Sequence, residues 1–217
     1  MNSEKLLSRQ WITVGAISGI IANILFPILL LTSLPSYIEI FLASIFGILF
    51  SLVGFALHHL LKYEKITILT QLGAIFIFCS GVIFNLMLMV QLTFKGYLQH
   101  YQDGITAQTD IDLLNWIAKT VDPVHLGMQL SNDFFTAIAM LLFSIVMLKS
   151  KYFGKIWGIS GFLISISLIL IKCYAFPMTP YEIGFPYIFG PLMVLWFLAV
   201  CIQCLRKKQE INKLPIA

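Results

Sequence analysis

The sequence predicts an all-α integral membrane protein, a bundle of six transmembrane helices with both termini on the cytoplasmic side. Composition is the first observation that predicts it, because 59% of the 217 residues are apolar and only 11% are charged. Soluble domains carry about 25% charged residues. Six long apolar runs and the alternating positions of the basic residues are the other two observations. The bilayer is therefore the predicted solvent for most of the chain.

Six apolar runs are long enough to cross a membrane, because a hydrocarbon core of about 30 Å requires about 20 helical residues. They lie near residues 11–32, 38–61, 66–93, 132–148, 156–176 and 185–205. The first run exceeds the core of a signal peptide, which has about 7 to 15 residues, so we expect it to remain as a helix. Residues 1–217 are predicted to form a single transmembrane domain.

Basic residues concentrate in alternate connections between these runs. The N-terminal segment, the second loop, the fourth loop and the C-terminal tail hold eleven of the fourteen Lys and Arg residues. Cytoplasmic loops carry this excess in membrane proteins, so both termini are predicted to be cytoplasmic. The net charge of +4 thus reflects the excess of basic residues in the predicted cytoplasmic segments. The predicted partner is the lipid bilayer rather than a nucleic acid.

The longest predicted loop, residues 94–131, lies on the outer side and contains a short amphipathic helix at 109–121. Thr109 or Asp110 suits the N-cap of this helix, and Pro123 stands just beyond its predicted end. Apolar residues recur along it at helical spacing, which gives it one apolar face. We expect this helix to lie on the outer interface or to cap the bundle.

Small residues mark the faces through which membrane helices pack, and they orient the polar residues beside them. Lys172, in the fifth run, shares a face with Gly158 and Gly161. Glu39 in the second run and Asp133 in the fourth also lie on small-residue faces. All three ionisable residues lie towards the outer ends of their runs, so the sequence predicts that they face the bundle interior at similar depths.

Lys172 is the single basic residue inside a predicted span. An unpaired intramembrane charge costs about 2.5 kcal/mol or more, so Lys172 is predicted to pair with Glu39, Asp133 or Glu182. Snorkelling to the headgroups is the alternative, but the Cβ bond of Lys172 points away from the nearer membrane surface. With Asn85 added by depth, the candidate ligand-binding pocket consists of Lys172, Glu39, Asp133 and Asn85. The ion pair also has a purely structural interpretation, in which it fixes helix register.

Catalytic and metal-binding motifs are not recognisable in the sequence. His58 and His59 are adjacent at a cytoplasmic end, whereas His100 and His125 fall in the outer loop, where we expect solvated side chains. The four cysteines lie in or beside apolar runs and indicate no disulfide framework. No metal and no cofactor are predicted, and the sequence gives little support to an enzyme.

The second half of the chain resembles a known family. The segments "HLGMQLSNDFFTAIAMLLFSIVMLKSKYFGKIWGISGFLISISLIL" and "GPLMVLWFLAV" look like an uncharacterised bacterial six-span membrane family, domain of unknown function 4386. Lys149, Ser150, Ile156 and Gly158 fit the loop that follows the family's fourth span, while Gly154 stands where the family tends to have proline. The resemblance covers about residues 125–200. It implies a bacterial inner or plasma membrane and supplies no activity.

Two classes of function agree with these observations. In the first, the protein binds or transports a small polar or amphiphilic ligand through an outward-facing pocket inside the bundle. In the second, it is a non-catalytic structural or interaction protein whose buried charges only set helix register. A membrane-embedded enzyme is the third possibility. The sequence does not predict the oligomeric state.

Overall fold

The computed structural model describes residues 3–32, 34–102, 108–184 and 189–213. Its secondary structure consists of six helices: α1 (Ser3–Leu31), α2 (Ser36–Lys62), α3 (Ile68–Gln102), α4 (Gln108–Met147), α5 (Lys155–Ala175) and α6 (Phe189–Lys213). All six are long and apolar enough to cross a membrane. The predicted all-α architecture with six candidate spans is therefore confirmed.

The six helices form a ring in which the contact between α5 and α6 is the weakest. α2 packs between α1 and α3, α4 packs on α3, α5 on α4, and α6 on α1. α5 and α6 contact each other much less than these neighbours do. We call the end of the bundle that holds the start of α1 and the end of α6 the terminal end, where Arg9 donates a hydrogen bond to the Ile211 carbonyl over 3.2 Å. The opposite end is called the distal end.

α3 and α4 are longer than a membrane span requires. They contain 35 and 40 residues, which corresponds to about 52 and 60 Å at 1.5 Å per residue. A hydrocarbon core is only about 30 Å thick. The two helices therefore extend beyond the other four at the distal end, where most of the predicted loop 94–131 is helical instead.

The predicted boundary of the helix at 109–121 is wrong at its C-terminal end. That segment is the first part of α4, which continues through Pro123 to Met147. Proline removes one backbone hydrogen bond and crowds the preceding turn, which usually ends a helix. Membrane helices tolerate it where neighbouring groups compensate, and α1 also contains a proline, Pro27. One lost hydrogen bond is small beside those that the rest of this long helix retains.

The terminal half of the bundle holds the apolar core. Large side chains there are almost completely inaccessible, including Ile12, Leu57, Leu61, Phe143, Met147 and Val200. Small residues allow the helices to approach closely, as predicted from the small-residue faces. A Cβ atom on Gly54 would lie 2.9 Å from the Cα atom of Ala74, so α2 and α3 touch through their backbones at this point.

Candidate functional site

A cavity of about 570 Å³ lies in the distal half of the bundle. All six helices contribute lining residues, and so does the turn between α5 and α6. Small-molecule sites in proteins have volumes of about 300 to 1,000 Å³. The cavity is therefore large enough for a small ligand, and its position inside the helix ring sets it apart from a surface groove.

The deep part of the cavity is aromatic. Phe46 is central, with its ring centroid 4.8 Å from that of Phe84 and 5.9 Å from that of Phe26. The centroids of Phe50 and Phe197 are 5.3 Å apart in an edge-on arrangement. These distances fall in the range in which aromatic pairs attract each other. We call these five side chains, which all line the cavity, the phenylalanine floor.

An ion pair between Lys172 and Asp133 forms part of the cavity wall. The ammonium nitrogen of Lys172 lies 2.5 Å from Oδ2 of Asp133, and the two side chains are only 11% and 12% exposed. Lys172 occupies the last turn of α5, and Asp133 lies on the face of α4 that carries the buried Ala137 and Ser144. Of the three carboxylates that the sequence left open as partners of Lys172, the structure places Asp133 next to it.

Further polar side chains surround this pair on α3 and α4. Ser80 donates a hydrogen bond to Oδ1 of Asn132 over 2.6 Å, and its oxygen lies 2.6 Å from the Thr136 hydroxyl. Ser80, Asn132 and Thr136 are all buried. Hydrogen bonds among buried polar groups offset the cost of removing them from water, so these three side chains do not require water as a partner.

Glu39 lines the cavity but pairs with a different lysine. Its carboxylate lies 3.6 Å from the ammonium nitrogen of Lys95 on α3. The Lys95 side chain is 57% exposed, whereas that of Glu39 is 21% exposed. This second pair therefore lies at the wider, more accessible part of the cavity. We call Glu39, Lys95, Asp133 and Lys172 the rim charges.

Asn85 lies outside the cavity, unlike the other three residues of the predicted pocket. It packs against Gly47 at the contact between α2 and α3. With its amide nitrogen assigned to the side that faces α2, it donates to the carbonyl oxygens of Ala43 and Ser44 over 2.8 and 3.0 Å. Depth along the helix was the only reason to include Asn85, and depth alone does not define the direction of a side chain.

Glu182 has a local role in the turn between α5 and α6. One of its carboxylate oxygens accepts hydrogen bonds from the backbone N–H and the hydroxyl of Thr179, over 2.6 and 2.8 Å. These bonds, the backbone bond above all, hold the pKa of the Glu182 carboxyl below its ordinary value. Thr179, Pro180 and Tyr181 line the cavity, so this turn helps to form its mouth.

His125 is a cavity residue that the sequence prediction missed. It lies on α4 rather than in a loop, and its Nε2 atom is buried without a hydrogen-bond partner among the described residues. His125, Gln129, Asp133 and Thr136 follow the spacing of one helical face, and all four line the cavity. That spacing was visible in the sequence, but the predicted start of the fourth span near residue 132 left His125 in the outer loop.

α5 and α6 face each other across the cavity. Near the terminal end they are in contact, since the Trp196 indole N–H donates to the Trp157 carbonyl over 3.3 Å. Nearer the distal end, Leu168 and Lys172 of α5 and Val194 of α6 line the cavity instead. The weakest contact in the helix ring thus coincides with the cavity.

The rim charges and the phenylalanine floor together suit binding better than acid–base or metal chemistry. Within residues 3–32, 34–102, 108–184 and 189–213, no three His, Cys, Asp or Glu side chains converge in a way that would hold a metal ion. Comparisons of the chain with protein-family models, with curated proteins and with solved structures gave no match. The resemblance to domain of unknown function 4386 therefore stays a prediction.

Proposed function

We propose that the protein binds a small amphiphilic ligand in the distal cavity, either to hold it or to move it across the membrane. The observation that carries this proposal is that the cavity lining combines a cluster of five phenylalanines with two lysine–carboxylate pairs. Phe50 lies eleven residues beyond Glu39 on α2, about 16.5 Å along the helix axis from the Glu39–Lys95 pair. A ligand with one apolar and one polar end matches this arrangement.

Apolar burial would supply most of the affinity of such a ligand. Each methylene group removed from water contributes about 0.8 kcal/mol. The polar groups of the wall would contribute orientation and discrimination, as the few polar groups of small-molecule sites generally do. The Nε2 atom of His125, which has no partner among the described residues, and the cluster around Asn132 provide hydrogen-bonding groups on the same wall.

One observation favours the second candidate, a non-catalytic structural or interaction protein. The Lys172–Asp133 pair is buried and complete without a ligand, so it could serve only to fix the register of α4 against α5. This candidate leaves the cavity without a role, and the two proposals therefore differ in whether filling the cavity matters.

Two tryptophan variants on α6 test whether the cavity binds a ligand. Val194 lines the cavity, whereas its neighbour Leu195 is 60% exposed on the outer face of the bundle. Val194→Trp places a bulky side chain in the cavity and narrows it, and Leu195→Trp adds the same side chain where lipid would lie. Wild type and both variants are purified in an uncharged maltoside detergent, and their apparent Tm is measured with a panel of single-chain amphiphiles.

We expect one or more of these amphiphiles to stabilise wild type and Leu195→Trp but not Val194→Trp. A ligand present at 100 times its Kd stabilises the native state by about 2.7 kcal/mol, which is readily measured. Equal shifts in Val194→Trp and Leu195→Trp would show that the amphiphile acts on the outer surface, and they would favour the structural candidate.

We also propose that the terminal end faces the cytoplasm of a bacterial cell, in the plasma membrane. Arg206, Lys207 and Lys208 lie at this end near the end of α6, and so do the lysines of the connection between α4 and α5. Labelling of single cysteines tests the orientation in a Cys173→Ser background, because Cys173 is an exposed native thiol. Asn115→Cys should react with an impermeant reagent in intact cells, and Lys151→Cys should react only after lysis. The reverse pattern would contradict the proposed orientation.

A further inference from the structure

The charges around the cavity are balanced. Among the described residues, two lysines and two aspartate or glutamate residues line it, and each lysine lies beside a carboxylate: Lys172 beside Asp133, and Lys95 beside Glu39. A site selected for anions would present more positive than negative groups, and a site for cations the reverse. The described lining residues carry equal numbers of positive and negative groups, so they favour neither an anionic nor a cationic ligand.

The burial of one pair limits the ligand further. The Lys172 and Asp133 side chains are only 11% and 12% exposed, so each charge depends on the other far more than on water. An anion that captured Lys172 would leave Asp133 buried and unpaired, which is costly. A purely cationic head that captured Asp133 would leave Lys172 in the same condition. A head with one charge of each sign can contact both residues and leave every charge compensated.

From this balance, and relying on the function proposed above, we infer that the cavity takes a single-chain amphiphile with a zwitterionic headgroup. The anionic part of the head lies towards Lys172, and its cationic part lies towards Asp133. The hydrocarbon chain extends to the phenylalanine floor. A volume of about 570 Å³ is within the range of sites for drug-sized molecules, which suits one chain rather than two.

The mouth of the cavity provides an aromatic surface for the cationic part of such a head. Tyr181 lines the cavity and is 74% exposed, so one face of its ring is accessible. Quaternary ammonium groups bind to the faces of aromatic rings by cation–π attraction. The turn that carries Tyr181 is held by the bonds between Thr179 and Glu182, which keeps the ring near the rim charges.

Headgroup selectivity at constant chain length tests the inference. Four amphiphiles carry the same dodecyl chain and end in phosphocholine, sulfate, trimethylammonium or maltose, so that the head is zwitterionic, anionic, cationic or uncharged. Their affinities are measured by competition with a radiolabelled dodecylphosphocholine on protein held in lipid nanodiscs, below micelle-forming concentrations. We expect the phosphocholine compound to bind at least about tenfold more tightly than each of the other three, a difference of about 1.4 kcal/mol.

A double variant tests whether the buried pair causes the selectivity. Lys172→Met combined with Asp133→Leu removes both charges together, so no unpaired charge is left to unfold the bundle. We expect this variant to retain chain binding and to lose the preference for phosphocholine. As the control, Lys119→Met on the exposed part of α4 should keep the wild-type preference.

The outcomes separate the inference from the proposed function. Equal affinities for all four heads, tighter binding of the sulfate or trimethylammonium compound, or an unchanged preference in the double variant would overturn the zwitterion inference. In each of these cases, loss of binding in Val194→Trp but not in Leu195→Trp would still support a ligand cavity. Binding that Val194→Trp leaves unchanged would overturn the proposed function itself.

Discussion

The terminal and distal halves of the bundle are built from the same six helices but are packed differently. In the terminal half, large apolar side chains such as Phe143, Leu57 and Ile12 are fully buried, and glycines bring backbones into contact. In the distal half, the helices surround a cavity, and polar side chains such as Asn132 and Asp133 are buried instead. Close packing thus ends where the cavity and its two ion pairs begin.

This contrast suggests a division of labour. In lipid, helices associate through close van der Waals contact and interhelical hydrogen bonds, because there is little hydrophobic driving force between them. The terminal half has extensive van der Waals contact between its helices. This contact can hold the ring together without help from the distal half. A cavity and a buried ion pair both tend to reduce stability, and the closely packed half can offset that cost.

The largest expected effect comes from breaking the buried pair in the distal half. Lys172→Met leaves Asp133 buried without its partner, and loss of one member of such a pair typically costs about 3–5 kcal/mol. We expect a correspondingly large fall in apparent Tm in detergent. Adding Asp133→Leu should restore most of the lost stability, because neither charge then remains. If Lys172→Met alone were as stable as wild type, Asp133 would not be desolvated and the contrast between the halves would weaken.

The next effect probes the close packing of the terminal half. Gly54→Ala places a methyl group 2.9 Å from the Ala74 Cα atom and 3.1 Å from the Ile77 Cβ atom, so α2 and α3 must separate. Overpacking of this kind costs about 1–3 kcal/mol.

Gly127→Ala is the matched control on α4, because a Cβ atom there would have no neighbour within 4 Å in the part of the chain that the structure describes. Its apparent Tm should equal or slightly exceed that of wild type, since alanine favours the helix more than glycine does. Equal melting temperatures for Gly54→Ala and Gly127→Ala would contradict the proposed role of close backbone contact in the terminal half.

The number of spans and the inward direction of Lys172 and Asp133 were predictable, because apolar run length and helical spacing depend on one helix at a time. The partner of Lys172 was not, since spacing within a helix gives no distance between helices. The prediction for Asn85 failed in a similar way, because depth along a helix does not define the direction of a side chain. Asn85 was grouped with Glu39, Asp133 and Lys172 by depth, but it points into the contact between α2 and α3. His125 was missed for another reason: the span was started near residue 132, where the apolar run begins, although α4 continues well before it through polar residues.

A smaller effect is expected at the second ion pair. The Lys95 side chain is 57% exposed, so its attraction to Glu39 is screened by solvent. Exposed pairs contribute about 0–1 kcal/mol. Lys95→Met should therefore change the apparent Tm far less than Lys172→Met does, although both remove one lysine from the cavity lining. Similar falls in apparent Tm in the two variants would mean that the stability contributed by an ion pair here does not depend on its exposure.

The smallest effect concerns the turn at the mouth of the cavity. Bonds from Thr179 hold the pKa of Glu182 below its ordinary value, so the ionised carboxylate stabilises the turn above the ordinary pKa. This contribution is lost as the pH falls through the lowered pKa. Thr179→Val removes the hydroxyl donor and keeps the backbone donor. We therefore expect a partial rise in the Glu182 pKa, measured by NMR titration of ¹³C-labelled glutamate in the detergent-solubilised protein. Because the backbone bond is the larger cause, a return of the pKa to its full ordinary value in Thr179→Val would mean that the hydroxyl, not the backbone, holds the turn at the mouth.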